Sequence, residues 1–504
     1  MAHEWDLPQL REIIQVPSMS DADFWSVKFY PYVDPGVEPI FAVVGGKQIL
    51  VCRSPVGNGK ATIIQMIIDE EVQIVRDKSG KGKKVDASTY ACAWSKDCET
   101  GAPLLCVAGS LGVIKVINAL TGDLLRTLTG HGGEINDLVI SPTNHYILAS
   151  ASEDFTVRIW SLDPAYANQP CAAILEGDGH KDAVMSLWTL PEFPDINTGT
   201  NIPTRIYYPH FSTSEVHQES VDCVAWWNDL ILSKSANENT IVLWSINRFD
   251  STAPPPSPST ACTTHDISRD TRSSFVTPPP ASSSDNAIAL YKRLLQFAIP
   301  AGQVLFTRFS LYPGSPAVAG LHPTQRSHPI LAFCNSLSKT FFWDLARFTH
   351  YHDLAPHLPD ETGTIPRTTT AAEAQAFRLP SAAAPKRHPF LRPFQPRNRG
   401  GAGRGRGSIA RSESASSQQT ADSQESGPKG KVNWAQSRRD WAARYGMQEP
   451  LVKLPSSSEV ALKGIDITGR QVAWSVGGEW CVVVGSHGNI VVFHRWGKER
   501  HKDV

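Results

Sequence analysis

Short apolar runs alternate with small or polar residues along most of this chain, at the period of two that a half-buried strand requires. The pattern is clearest from Gly130 to Leu162, GHGGEINDLVISPTNHYILASASEDFTVRIWSL. It predicts a strand through Ile135, Leu138 and Ile140, then a turn at Ser141-Pro142-Thr143-Asn144. A second strand follows through Ile147, Leu148 and Ala149, a tight turn falls at Glu153-Asp154, and a third strand spans Val157 to Trp160. The middle hairpin, here YILASASEDFTVRIW, has six copies. The others read IFAVVGGKQILVCR, LLCVAGSLGVIKVIN, LILSKSANENTIVLW, PILAFCNSLSKTFFW and WCVVVGSHGNIVVFH. The strand before each hairpin has seven: FWSVKF, YACAW, EINDLVI, DAVMSL, VDCVAWW, VLFTRFS and RQVAWSV.

Strand, turn, strand, turn, strand with Gly-His before and Trp after is similar to the WD repeat, one blade of a β-propeller. One blade cannot bury both of its faces, so copies must pack against each other. The expected fold is all-β, a seven-bladed propeller. The likeness places His131, Ser150, Asp154 and Trp160 in a hydrogen-bonded chain inside the blade. That role is structural rather than catalytic, because buried polar groups need partners. The unmatched copy is DAVMSL, from Asp182, where Met185-Ser186 leads almost directly to Leu187-Trp188-Thr189. The other copies hold roughly twenty more residues there, in a repeat of about 40–45. Blade four is therefore expected to lack its middle hairpin. A skipped exon or a misread gene is the expected cause, since a gap in a closed ring would leave strand edges open. Residues 9 to 16 read as an outer strand that closes the ring.

The domain plan that follows has six parts. Residues 1–22 are a tail and the ring-closing strand, and 23–250 carry blades one to five in part. Residues 251–286 are a disordered Ser/Pro-rich insertion, too polar to bury itself. The end of blade five and blade six occupy 287–349, a second low-complexity insertion 350–458, and blade seven 459–504. The second insertion holds an Arg/Gly tract, PRNRGGAGRGRGSIAR from Pro396 to Arg411, of a kind that binds RNA phosphates without sequence readout or serves as a solvated linker. It also holds NWAQSRRDWAARYG, an amphipathic helix with Asn433 as cap, Trp434, Trp441 and Tyr445 on one stripe, and Gly446 at its end. Such a helix docks on its own protein more often than on a partner.

Composition narrows the chemistry. Among 504 residues the formal charge is −1, so no global field favours nucleic acid. Nine scattered cysteines form no Cys-x-x-Cys pair, which suits reduced core thiols. The N-terminus lacks signal architecture and no apolar run reaches bilayer length, so no membrane partner is expected. The stretch Gly57-Asn58-Gly59-Lys60-Ala61-Thr62 departs from a phosphate loop at Ser54 and Ala61. Nucleophile elbows, zinc spacings and dinucleotide fingerprints are missing, so neither an enzyme nor a cofactor or metal is expected.

One stretch is more specific than a WD repeat. From Tyr207 to Trp244 the chain reads YYPHFSTSEVHQESVDCVAWWNDLILSKSANENTIVLW. With YACAWSKD, PLLCVAGSLGVIKVIN, GHGGEINDL, GHKDAVMS, LFTRFS and RQVAWS, it resembles the embryonic ectoderm development / extra sex combs family, a core subunit of Polycomb repressive complex 2. The resemblance covers all the blades but neither insertion. It implies a non-catalytic nuclear subunit that binds trimethyllysine, chiefly on a histone H3 tail, and stimulates a SET-domain methyltransferase beside a zinc-finger Polycomb subunit. The family's aromatic cage falls by motif register on Trp25, Tyr90, Leu305 and Phe306, all expected at the starts of innermost strands. Leu305 stands where the family norm is aromatic, so the fourth wall is expected to be apolar. Arg308 and Arg470 match family arginines near the same mouth, as tail contacts or as intramolecular ion pairs. The competing functions are a ribonucleoprotein scaffold and a ubiquitin-ligase adaptor.

Overall fold

The structure is a computed structural model that describes residues 6–33, 37–55, 59–76, 82–177, 184–263, 271–276, 289–314, 328–364, 390–391 and 433–495. The chain divides into two compact units, Met1–Ala346 with Met447–Val504, and Arg347–Gly446. The larger is a seven-bladed β-propeller. Blade one runs Ser26–Phe29, Ile40–Gly45, Gln48–Arg53, Thr62–Ile68, each strand antiparallel to the last. Blade two repeats this with Thr89–Lys96, Pro103–Gly109, Ile114–Asn118 and Leu124–Leu128. Blade three uses Ile135–Ile140, Ile147–Ser152, Val157–Ser161 and Cys171–Leu175. Blades five and six start at Val221–Trp227 and Ser310–Tyr312. Blade seven runs from Gly469–Trp474 to Asn489–His494 and takes its outermost strand, Gln9–Gln15, from the N-terminus.

The period of two sets the core. In Ile40–Gly45, Ala42 and Val44 pack with Cys92, Trp94, Leu105 and Val107 of blade two. Their neighbours Phe41 and Val43 pack with Val482, Val484 and Val492 of blade seven. Each Val, Leu or Phe among them, fully buried, contributes about 1.5–3 kcal/mol. One strand therefore staples three blades.

Polar chains fasten the blades from inside. His131 Nε2 lies 2.7 Å from Ser150 Oγ, His131 Nδ1 2.8 Å from Asp154 Oδ2, and Trp160 Nε1 donates to Ser150 Oγ at 2.8 Å. Burial alone would raise the Asp154 carboxyl, but bonds from Gly132 N–H, His131 and Thr156 outweigh it and hold it well below the usual range. Blade five carries a second chain: His217 Nε2 to Ser233 Oγ at 2.7 Å, Trp244 Nε1 to the same oxygen at 3.0 Å, and His217 Nδ1 to Glu238 at 2.7 Å.

Blade four departs from the expectation of a lost hairpin. It is a three-stranded sheet of Met185–Leu187, Phe211–Thr213 and Thr271–Ser273. The third strand comes from inside the Ser/Pro-rich segment expected to be wholly disordered. The correction has a local cause. Among the prolines and serines, TRSSFV holds two apolar side chains: Val276 is buried and Phe275 packs on Phe249 at 5.4 Å. Thr271 is buried as well, its hydroxyl 2.7 Å from that of Thr213. The blade stays short, and its neighbours show it. Val224 and Trp226 of blade five pair in register with Ser233 and Ile231, on the face that packs against Met185 and Phe211. They remain 53% and 47% exposed, opposite an innermost strand of only three residues.

In the smaller unit, helix α1 (Ala346–Leu354) and helix α2 (Trp434–Tyr445) are joined by aromatic packing. Tyr445 meets Phe348 at 6.1 Å, Tyr351 at 5.9 Å and Phe390 at 5.3 Å. Asn433 caps α2 by accepting from Gln436 N–H at 2.9 Å. Gly446 N–H donates to Ala442 O at 2.8 Å. The Arg/Gly tract lies outside the described residues.

Candidate functional site

Four innermost strands begin with a β-bulge. The ladder skips one residue between Thr89 and Ala91, Ile135 and Asp137, Val221 and Cys223, and Gly469 and Gln471. The skipped residues are Tyr90, Asn136, Asp222 and Arg470. A bulge adds a residue to one strand and re-aims its side chain. Here it builds one end of the channel from the repeat itself. Trp25 stands just before the first strand of blade one, its N–H on Val44 O at 2.9 Å.

Trp25, Tyr90 and Asn136 line a cavity of about 190 Å³ together with Glu134, Glu153, Phe306 and Arg308. Trp25 meets Tyr90 edge-on, centroids 6.2 Å apart at 80°, and Phe306 at 6.4 Å and 90°. Three rings from blades one, two and six thus present faces and edges to one small space. Burial, then the charge and hydrogen bond of Glu134 and the charge of Glu153, push the Tyr90 phenol up to about 12, so it stays neutral at physiological pH.

Leu305 and Phe306 do not start a strand. They form a tight turn before Ser310–Tyr312, and Phe306 has φ +57°. A bulky residue in the left-handed region costs roughly 1–3 kcal/mol and persists only where its surroundings hold it. They do. Thr307 Oγ1 donates to Val304 O at 2.8 Å, and Thr307 N–H to Asp222 Oδ2 at 3.4 Å. Lys234 Nζ reaches Asp222 Oδ2 at 2.9 Å, with both side chains almost fully buried. Leu305 is outside the cavity lining, and its carbonyl accepts from Arg470 Nη1 at 3.1 Å. The expected apolar fourth wall is absent; Glu134 and Glu153 occupy the lining instead.

Both arginines are engaged within the ring. Arg308 Nη2 donates to Asn136 O at 2.8 Å, and Nη1 sits 3.2 Å from Asp137. Arg470 Nε and Nη2 hold Asp23 Oδ2 at 2.8 and 2.7 Å, and its guanidinium lies 4.4 Å from the Trp25 ring centroid. Arg470 thereby fixes Trp25 by cation–π attraction while tying blade seven to blades one and six. Among the described residues no group of His, Cys, Asp and Glu could hold a metal ion.

Sequence reading did not single out Glu134, Asn136 or Glu153. Their signal was positional: Glu134 and Asn136 flank Ile135 at the head of an innermost strand, in the register of Trp25 and Tyr90.

Comparison with known proteins gives the site its context. The WD domain, G-beta repeat model matches residues 122–161. Polycomb protein EED of Chaetomium thermophilum is 38% identical over 99% of this chain and 97% of its own. Polycomb protein esc of Drosophila melanogaster is 27% identical over 64% of this chain and 70% of its own. Among solved structures, an active polycomb repressive complex 2 in the basal state contains a chain 38% identical, with a TM-score of 0.77 and 99% of both chains covered. A chain of ctPRC2 in complex with H3K27me3 matches with the same values.

Proposed function

The chain belongs to the EED / extra sex combs family of Polycomb proteins, and from that premise we propose that the cavity binds the trimethylated lysine of a histone H3 tail. It is a WD-repeat subunit of Polycomb repressive complex 2, without a catalytic role of its own. The observation that carries the site is the convergence of Trp25, Tyr90 and Phe306 on one cavity from positions far apart in sequence. A trimethylammonium ion has no N–H to donate, so ring faces must replace its water by cation–π attraction. Arg308, which lines the cavity, is read as a contact for the tail, and Arg470 as a positioning residue that acts through Trp25. The proposed partners are a SET-domain methyltransferase and a zinc-finger Polycomb subunit, in the nucleus. Tail binding favours the active form of that enzyme, a coupling between two sites.

Reconstitution tests this reading. Co-expressed with the SET-domain and zinc-finger subunits, the chain is expected to co-purify with them, and a trimethylated H3 tail peptide should raise methyltransferase turnover severalfold. Assembly without peptide stimulation would remove the coupling, and no assembly would remove the subunit role.

A second contact rests on composition. PRNRGGAGRGRGSIAR suggests loose phosphate binding. Deleting residues 396–411 is expected to weaken RNA binding at low salt and to leave methyl-lysine affinity unchanged. Filter binding across a salt series checks the first, calorimetry the second. A deletion that spares RNA binding, or that costs peptide affinity, contradicts this assignment.

A further inference from the structure

The cavity holds two groups that a cage for trimethyllysine does not need. Glu134 and Glu153 both line it, and no lysine or arginine among the described residues forms an ion pair with either carboxylate. The cations nearest the mouth are committed elsewhere: Arg308 to Asp137 and Asn136, Arg470 to Asp23 and Leu305. Glu153 is exposed and Glu134 half-buried, on two segments of one blade joined by Glu153 N–H donating to Glu134 O at 2.9 Å. The charge of Glu134 helps to raise the Tyr90 phenol beside it. A carboxylate pair has about eight lone-pair sites, and both carboxylates belong to residues that line the cavity. Leu305, the residue that an aromatic fourth wall would require, is not in the lining.

The chemistry of the wall decides which methylation state fits. Trimethylammonium offers methyl groups only, and gains from a carboxylate nothing but through-space attraction. Dimethylammonium keeps one N–H. Among rings alone that proton would be stripped of water without an acceptor, at a cost of roughly 1–3 kcal/mol. Beside a carboxylate it makes a charge-assisted hydrogen bond, roughly twice as strong as a neutral one.

We infer that Glu134 and Glu153 are specificity-determining residues that make this cavity a reader of dimethyllysine as well as trimethyllysine. The inference rests on the methyl-lysine reading of the same site.

Calorimetry on the full chain, with H3 tail peptides carrying no, one, two or three methyl groups, tests it. The dimethyl peptide is expected to bind within about threefold of the trimethyl peptide. In Glu134→Gln/Glu153→Gln the dimethyl affinity should fall at least about fivefold further than the trimethyl affinity, because the acceptor loses its charge. Glu153→Ala, at an exposed position, gives the same comparison if the double variant melts early. A dimethyl-to-trimethyl ratio that stays constant across these variants overturns the specificity role, even if both affinities drop. A wild-type chain that binds no methylated peptide overturns the methyl-lysine reading itself.

Discussion

Replacing Lys234 by Met is expected to cost about 3–5 kcal/mol of stability at pH 7 and to loosen the methyl-lysine site with it. Lys234 is fully buried against Asp222, with Nζ bonds at 2.9 and 3.1 Å, and has a third contact at Val304 O, 3.4 Å away. Removing the ammonium leaves a buried carboxylate without its counter-ion. Burial already lifts the Asp222 carboxyl above the usual range, while Lys234 pulls it down. Without Lys234 it must rise further. A group whose folded pKa exceeds its unfolded value contributes stability at low pH that is lost as pH rises through the folded value. The variant should therefore be weakest near neutrality and recover part of its loss as pH falls, whereas the wild type shows less of this trend. Asp222→Leu/Lys234→Met removes both charges and should regain most of the stability. Urea titrations at pH 5 and pH 7 measure all three chains. A Lys234→Met chain as stable as wild type, or a loss that deepens toward acid, would contradict the account.

This ion pair shows where the sequence is legible and where it is not. The repeat could be read because each strand's neighbours impose a period of two: Ala42 and Val44 face one blade, Phe41 and Val43 the other. The His131–Ser150–Trp160 chain could be read from spacing within one blade. Its counterpart, His217–Ser233–Trp244, had nearly the same spacing, but Glu238 replaces the aspartate and hid it. Blade four was opaque for a different reason. Phe211–Thr213 and Thr271–Ser273 pair across 58 residues, and each strand has only three, too few for a period to appear. The rings Trp25, Tyr90 and Phe306 were reached through family resemblance, since an aromatic residue beside a strand reads first as core. Glu153 fell in the tight turn before a strand and Glu134 at the head of the copy EINDLVI, where neither carboxylate stood out. Bulges turn Tyr90 and Asn136 toward the cavity, and a bulge leaves no mark in the apolar pattern. Asp222 alternates with Val221 and Cys223 as a surface residue does, and Lys234 stands between Ser233 and Ser235, yet the pair supports the turn that carries Phe306.

Trimethylated H3 peptide is expected to bind the chain about a hundredfold more tightly than the unmethylated peptide, and each cage ring to account for about tenfold. Unmethylated lysine keeps three N–H donors; rings cannot satisfy them, and desolvating them costs more than the cation–π attraction returns. A desolvated ring contributes roughly 1–2 kcal/mol, which converts to about tenfold per Ala substitution. Trp25→Ala should show the largest loss, because Trp25 touches both other rings and carries the Arg470 guanidinium on its face. Tyr90→Ala and Phe306→Ala should each lose about tenfold without unfolding the ring, since both side chains line the cavity and Phe306 is 40% exposed. Arg470→Met separates positioning from contact. If Arg470 acts through Trp25, its loss should weaken binding severalfold, and in the Trp25→Ala background it should weaken it no further. Leu305→Ala should change affinity little, because Leu305 lies outside the lining. Calorimetry with both peptides, alongside thermal melting of each variant, decides between these outcomes. Equal affinity for the two peptides, or full affinity in a folded Tyr90→Ala or Phe306→Ala chain, would leave the cavity without a methyl-lysine ligand.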